Sequence, residues 1–176
     1  GAAVHSHTQD RNAPLAGVHV PPPPELPDAE FPFVMNTGRQ MYHLHTGTMS
    51  RRATGLYARE PTPTFELNPE DAVELGIRDG DPVRITSRRS SMEIAVRISG
   101  RVARKQIFVP MHYREAAANL LTNPALDPYA KIPEFKVCAV HLKPVTRNGE
   151  RVGVDTRTER ATENDISERS LVTGDD

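Results

Sequence analysis

Only one cysteine, Cys138, occurs in the 176 residues. That excludes an intrachain disulfide framework, a Cys-ligated zinc site and an iron–sulfur cluster held by this chain alone. Cys138 lies in the apolar run Val137–Val140, where packing as a small hydrophobe is expected over a reactive thiol. Formal net charge is −1, so there is no global field toward nucleic acid or a membrane, and any electrostatic argument has to be local. No apolar run approaches membrane-spanning length and the start lacks the charged-then-apolar order of a signal peptide, so a cytoplasmic protein without membrane insertion is expected. The chain starts at Gly1 without Met, as a processed, tagged or excised polypeptide would. There is no internal repeat and no Gly-rich strand-to-helix turn of the dinucleotide or phosphate-loop kind. Ser50, Ser90 and Ser91 lack a Gly-x-Ser-x-Gly elbow, which removes a hydrolase triad.

Length allows one ordinary core with residues to spare. Residues 1–30 are polar and proline-rich, ending in Pro21-Pro22-Pro23-Pro24-Glu25-Leu26-Pro27, and predict an extended arm. Residues 146–176 are dominated by charged residues, Thr and Gly, with isolated Val154, Ile166 and Leu171. They predict an extended or disordered tail.

The compact part is residues 31–145. Strands are expected at Phe33–Met35, Thr64–Leu67, Pro82–Thr86, Met92–Ile98, Gln106–Pro110 and Val137–Leu142, several with period-two alternation. Asn68 reads as an N-cap, Pro69 as the first helical residue, Glu70 and Asp71 as acids at the positive end, and Gly76 as the stop. A second short helix is expected over Tyr113–Leu121. Many short strands and few short helices predict a mainly β, small barrel-like fold.

The segment Thr37–Arg52 carries the most chemistry. It concentrates two glycines, two histidines, three arginines and four Ser or Thr hydroxyls directly after an apolar run. Backbone donors freed by glycine, together with hydroxyls and forked guanidinium groups, suit a large anionic ligand. His43 and His45 are two apart and would face one side of a strand, a spacing that serves a metal. No carboxylate or Cys accompanies them, so hydrogen bonding to a ligand or a structural role is expected instead, and no protein-held metal. A second segment, residues 119–136, places Asn119 at a helix end and Lys131 and Lys136 around a proline-fixed loop.

An ordered series of blocks ties these segments together. It runs Thr37-Gly38-Arg39, Tyr42-His43-Leu44-His45-Thr46-Gly47-Thr48-Met49-Ser50-Arg51-Arg52, Glu66-Leu67-Asn68-Pro69-Glu70-Asp71-Ala72, Ser87-Arg88-Arg89, Asn119-Leu120-Leu121-Thr122, and Pro133-Glu134-Phe135-Lys136-Val137-Cys138-Ala139-Val140. The series resembles the C-terminal molybdopterin-dinucleotide-binding domain of the molybdenum/tungsten bis-pterin oxidoreductases. Within that superfamily it is most similar to the formate dehydrogenase catalytic subunit, with nitrate reductases close behind.

The resemblance implies a six-stranded double-psi β-barrel and a molybdopterin guanine dinucleotide cofactor. It implies that the loop formed by Thr37, Gly38, Arg39, Gln40, Met41, Tyr42, His43, Leu44, His45 and Thr46 wraps the pterin and pyrophosphate, largely through backbone groups. It also implies that Asn119 and Lys136 hydrogen-bond the pterin, with Met111 nearby. The metal ligand, iron–sulfur cysteines and catalytic side chains would belong to the remainder of the catalytic subunit. This chain alone is then inactive and clamps the cofactor. A nitrate reductase domain and a non-catalytic double-psi adaptor or cofactor carrier remain the alternatives. Relatives usually place Gly in the turn that here reads Arg89-Ser90-Ser91, which leaves the geometry of that hairpin open.

Overall fold

Alternation decides which side of each strand faces inward. Strand β1 (Phe33–Gly38) buries Phe33, Met35 and Thr37, and β2 (Thr64–Leu67) buries Phe65 and Leu67. Val83, Ile85 and Ser87 point inward from β3 (Pro82–Ser87), and Met92, Ile94 and Val96 from β4 (Ser91–Ile98). Ile107 and Val109 of β5 (Gln106–Pro110) and Cys138, Val140 and Leu142 of β6 (Cys138–Pro144) complete the inner surface. The computed structural model describes residues 22–147 together with 150–151.

These six strands close into a barrel in the order β1-β5-β2-β4-β3-β6, with β6 returning to β1. Two pairs are parallel, β1 with β5 and β2 with β4; the other four are antiparallel. Exchanging β1, β2 and β3 for β4, β5 and β6 leaves this scheme unchanged. The fold therefore has an internal two-fold relation that the sequence, without a repeat, does not display. This is the expected six-stranded double-psi β-barrel.

Helix α2 (Pro69–Leu75) is assembled as its sequence dictates. The Asn68 side chain accepts the Glu70 N–H at 2.9 Å, and Gly76 closes the helix at φ 63°. Asp71 does more than complement the dipole. It is fully buried, and its Oδ2 accepts the Lys105 N–H at 2.6 Å, fixing the β4–β5 connection where Lys105 takes φ 56°. Helix α1 (Thr54–Tyr57), preceded by a 3-10 turn at Ser50–Arg52, was not expected from the sequence.

The helix expected over Tyr113–Leu121 is not formed. Two 3-10 turns, Arg114–Ala116 and Ala118–Leu120, take its place, separated by Ala117 at ψ 91°. Ala116, Ala118 and Leu121 all turn into the core, and Arg89 takes the Leu121 carbonyl at 2.8 and 3.1 Å, so barrel packing overrides the alanine preference for helix. Ser90 solves the hairpin without glycine: Ser87 Oγ accepts the N–H groups of Arg89 (3.2 Å) and Ser90 (3.4 Å).

Of the predicted arm, residues 22–30 are described; of the predicted tail, Thr146–Arg147 and Glu150–Arg151 form a small antiparallel hairpin, β7–β8. The rest of both segments lies outside the described residues. Cys138 is buried, as expected, and burial pushes its thiol pKa upward. Among the described residues no helix is long and apolar enough to cross a membrane.

Candidate functional site

The loop that leaves β1 is held from beneath by three buried rings, His43, His112 and Tyr113. Their centroids lie 5.4 to 6.3 Å apart. His112 follows β5 and reaches across to the loop. Its Nε2 accepts the Gln40 N–H at 2.8 Å, and its Nδ1 bonds to the His45 carbonyl. An amide can only donate and a carbonyl only accept, so the proton is on Nδ1 and the ring is neutral. Burial pushes the His112 pKa down, with the neighbouring His43 and Arg39 adding to the effect and the His45 carbonyl opposing it.

In His43 the proton fixed by the same logic is on Nε2. Its Nε2 donates to the Glu60 carbonyl at 2.8 Å, while Ser50 Oγ lies 3.2 Å from Nδ1 and also accepts the Leu44 N–H at 3.1 Å. Both ring nitrogens are used inside the protein. His43 thus takes the structural role left open above, and His45 is exposed with its main chain at φ 50°. The segment is a run of turns, so the two histidines do not share a strand face. Tyr113 Oη lies 2.9 Å from the Glu60 carbonyl and 3.0 Å from Gln40 Oε1, and burial pushes its pKa up to about 12. Gly47, at φ 77°, closes the loop where a Cβ would come within 2.8 Å of Arg51 Cδ.

Two remote segments meet at the root of this loop. Lys136 Nζ donates to the Thr37 carbonyl, and Thr37 Oγ1 donates to the Phe135 carbonyl at 2.7 Å. Met111, half-buried, donates its N–H to the Gly38 carbonyl at 3.0 Å. Gly38 has no room for a side chain: a Cβ there would stand 2.5 Å from Phe108 Cε2. Arg39, Met41, Leu44, His45, Thr46, Asn119 and Lys136 present exposed side chains, while Gln40 and Tyr42 are half-buried. Arg51 is not a free cation. It forms a two-pronged pair with Glu115 at 2.5 and 3.0 Å and lies over the Tyr113 ring.

Beside the loop, Arg39, Gln40 and Met41 form one wall of a groove of about 370 Å³ floored by Phe108 and Glu66 and flanked by Glu60, Arg97 and Arg101. Glu60 Oε2 is buried there without a hydrogen-bond partner. The site therefore offers a turn-rich loop braced by buried rings, a lysine anchored to its root, and beside it a groove where Arg97 and Arg101 lie near Glu60 and Glu66. The structure brings the expected loop, Lys136 and Met111 together at the end of β1. Sequence reading missed His112 and Tyr113, whose only signal was a His-Tyr pair directly after a strand.

The family described as "Molydopterin dinucleotide binding domain" matches residues 33–139. The chain belongs to this family. Curated relatives of this molybdopterin dinucleotide-binding domain include the F420-dependent formate dehydrogenase subunit alpha of Methanocaldococcus jannaschii, 46% identical over 119 residues, which covers 68% of this chain and 18% of the relative. A nitrate reductase of Symbiobacterium thermophilum is 42% identical over 125 residues, covering 69% of this chain and 17% of that protein. This chain thus spans less than a fifth of the length of either. Acetylene hydratase from Pelobacter acetylenicus shares the fold, with a TM-score of 0.58 at 15% identity over 66% of this chain and 19% of that one.

Proposed function

We propose that this chain is the cofactor-clamping domain of a formate-dehydrogenase-like molybdenum or tungsten oxidoreductase. The observation that carries the proposal is the junction of Thr37 with Lys136, which brings the loop and the pre-β6 segment to one place in a member of this family. The donor set suits the cofactor. Exposed Arg39 complements a diphosphate, while the Lys136 ammonium offers donors and the Asn119 amide both donor and acceptor to a pterin edge. When bound, the cofactor would supply the two-electron redox chemistry by which formate becomes carbon dioxide and a proton, with iron–sulfur centres in the remainder of the subunit as electron acceptors. This chain's residues hold and orient it. Thr37 and His112 fix the loop, Arg39 supplies positive charge, and Asn119 and Lys136 hydrogen-bond the pterin.

The same role serves a nitrate reductase, and the 42% identity to one such enzyme keeps that reading as the alternative. Titration with pterin guanine dinucleotide tests the assignment. Asn119→Ala and Lys136→Ala are expected to weaken binding about tenfold or more each, from loss of a hydrogen bond or charge-assisted contact. Unchanged affinity in both removes the site, and no binding by the native chain favours an adaptor role. The purified chain alone is expected to turn over neither formate nor nitrate.

A further inference from the structure

One buried ring fastens the loop after β1 at both of its ends. His112 Nε2 accepts the Gln40 N–H at 2.8 Å, and the Nδ1–H donates to the His45 carbonyl. His45 is held at φ 50°, a left-handed path that a residue with a side chain takes only under restraint. Gln40 is fastened again through its side chain, 3.0 Å from Tyr113 Oη, and its carbonyl receives the His43 N–H at 3.4 Å. It stands between Arg39 and Met41 on the wall of the groove. A proton acts differently on the two ends of the His112 contact. Added to Nε2, it leaves the Nδ1–H bond to His45 in place. At the other end it sets two N–H donors against each other at 2.8 Å, with no lone pair between them. One proton therefore unfastens Gln40 and spares His45.

We propose that His112 is a proton-operated latch on the cofactor loop: the neutral ring positions Arg39 and Gln40 to hold the diphosphate, and protonation lets them go. The ligand half of this rests on the function proposed above, and the latch half on the geometry of this chain. The surroundings keep the latch shut near neutral pH. Burial opposes charging of the ring, His43 and Arg39 add to that, and the His45 carbonyl and Glu60 work the other way. Tyr113 beside it stays a neutral phenol, its pKa pushed up to about 12. Arg51, over the Tyr113 ring, is paired with Glu115. The sign of the pH effect separates a latch from charge attraction. When the held loop needs the neutral ring, the bound chain takes up the proton less readily than the free chain, and affinity falls with pH. Attraction between a charged His112 and a phosphate would make affinity rise instead.

The test uses the 176-residue chain and pterin guanine dinucleotide. Binding is measured from about pH 7.5 to about pH 4.5, and the His112 ring nitrogens are followed by NMR over the same range. Affinity is expected to fall by up to about tenfold per pH unit below the His112 midpoint. Amide exchange at Gln40 and His43 should quicken together with it, while Gly47, bonded to the Leu44 carbonyl, keeps its rate. His112→Gln retains an acceptor for Gln40 but cannot charge, so it is expected to bind more weakly at neutral pH and to lose the slope. Should that variant not fold, the parent still decides, because its loss of binding must track the charging of its ring. Affinity that stays level or rises as pH falls overturns the inference. So does a proton on Nε2 at neutral pH, a ring still neutral where binding is lost, or an unchanged slope in His112→Gln. Two outcomes separate the latch from the cofactor reading. No binding at any pH, with the Gln40 amide released as the ring charges, removes the cofactor reading alone. Binding that ignores the charge on the ring removes the latch alone.

Discussion

Lys136 donates from Nζ to the main-chain oxygen of Thr37, and Thr37 sends its own hydroxyl hydrogen 2.7 Å to the carbonyl of Phe135. The two contacts cross-link the end of β1 to the segment entering β6. Thr37 is buried, so replacing it by valine keeps the volume and removes the donor. Thr37→Val is expected to cost about 1 kcal/mol, the net worth of one intramolecular hydrogen bond, and Thr37→Ser to recover part of it. Urea denaturation of the three proteins measures this. A valine variant as stable as the parent would show that the cross-link contributes nothing.

His112 gives a pH signature. Its pKa is held below the usual 6.5, chiefly by burial, so the unfolded chain binds a proton in a range where the folded chain does not. Stability from this residue is therefore complete above about 6.5 and is lost as pH falls from there toward the folded value. His112→Ala removes both loop bonds and is expected to cost about 2–4 kcal/mol at pH 7. The difference between parent and variant should shrink between pH 7 and pH 5.5. A constant difference across that range would mean His112 does not titrate as its burial requires. Amide exchange at Gln40 should accelerate in the variant.

Gly38 and Phe108 form a steric pair, because a Cβ added at Gly38 would stand 2.5 Å from the ring edge. Gly38→Ala is expected to destabilise by about 1–3 kcal/mol through overpacking. Adding Phe108→Leu should return part of that loss, because the clash is with a side chain and not with backbone. A double-mutant cycle reads the coupling, and strict additivity would place the strain elsewhere.

Most of the barrel was legible because its strands alternate and its turns use Asn, Pro and Gly where backbone geometry asks for them. Asn68, Pro69 and Gly76 each hold the expected position. The internal two-fold was not legible, since it exists in strand pairing and not in sequence. The Tyr113–Leu121 stretch misled because alanine favours helix locally, while burial of four of its residues and the Arg89 bond to Leu121 are non-local. In the site, glycines and cations marked the loop, but composition could not say that Arg51 is occupied by Glu115 or that His43 turns inward. His112 lies far from the loop in sequence and only pairing of β1 with β5 brings it there.

That pairing logic extends to Arg89, which joins three segments. It grips Glu25 of the arm with two bonds at 2.5 and 3.0 Å and the Leu121 carbonyl with two more, while Glu25 also accepts the Ala139 N–H at 2.7 Å. Burial alone would raise the Glu25 pKa. The Arg89 and Ala139 bonds, with the charge of Arg88, outweigh it and hold Glu25 below its usual 4.5. Its contribution to stability is therefore present above about 4.5 and lost as pH falls through the depressed value. Arg89→Ala is expected to cost about 2–4 kcal/mol, because it leaves a largely shielded carboxylate unpaired. Glu25→Gln should cost less and should flatten the acid limb of the stability curve. Limited proteolysis should then cut residues 22–30 in Arg89→Ala well before the barrel. An arm that stays protected in that variant would show that Arg89 is not its anchor.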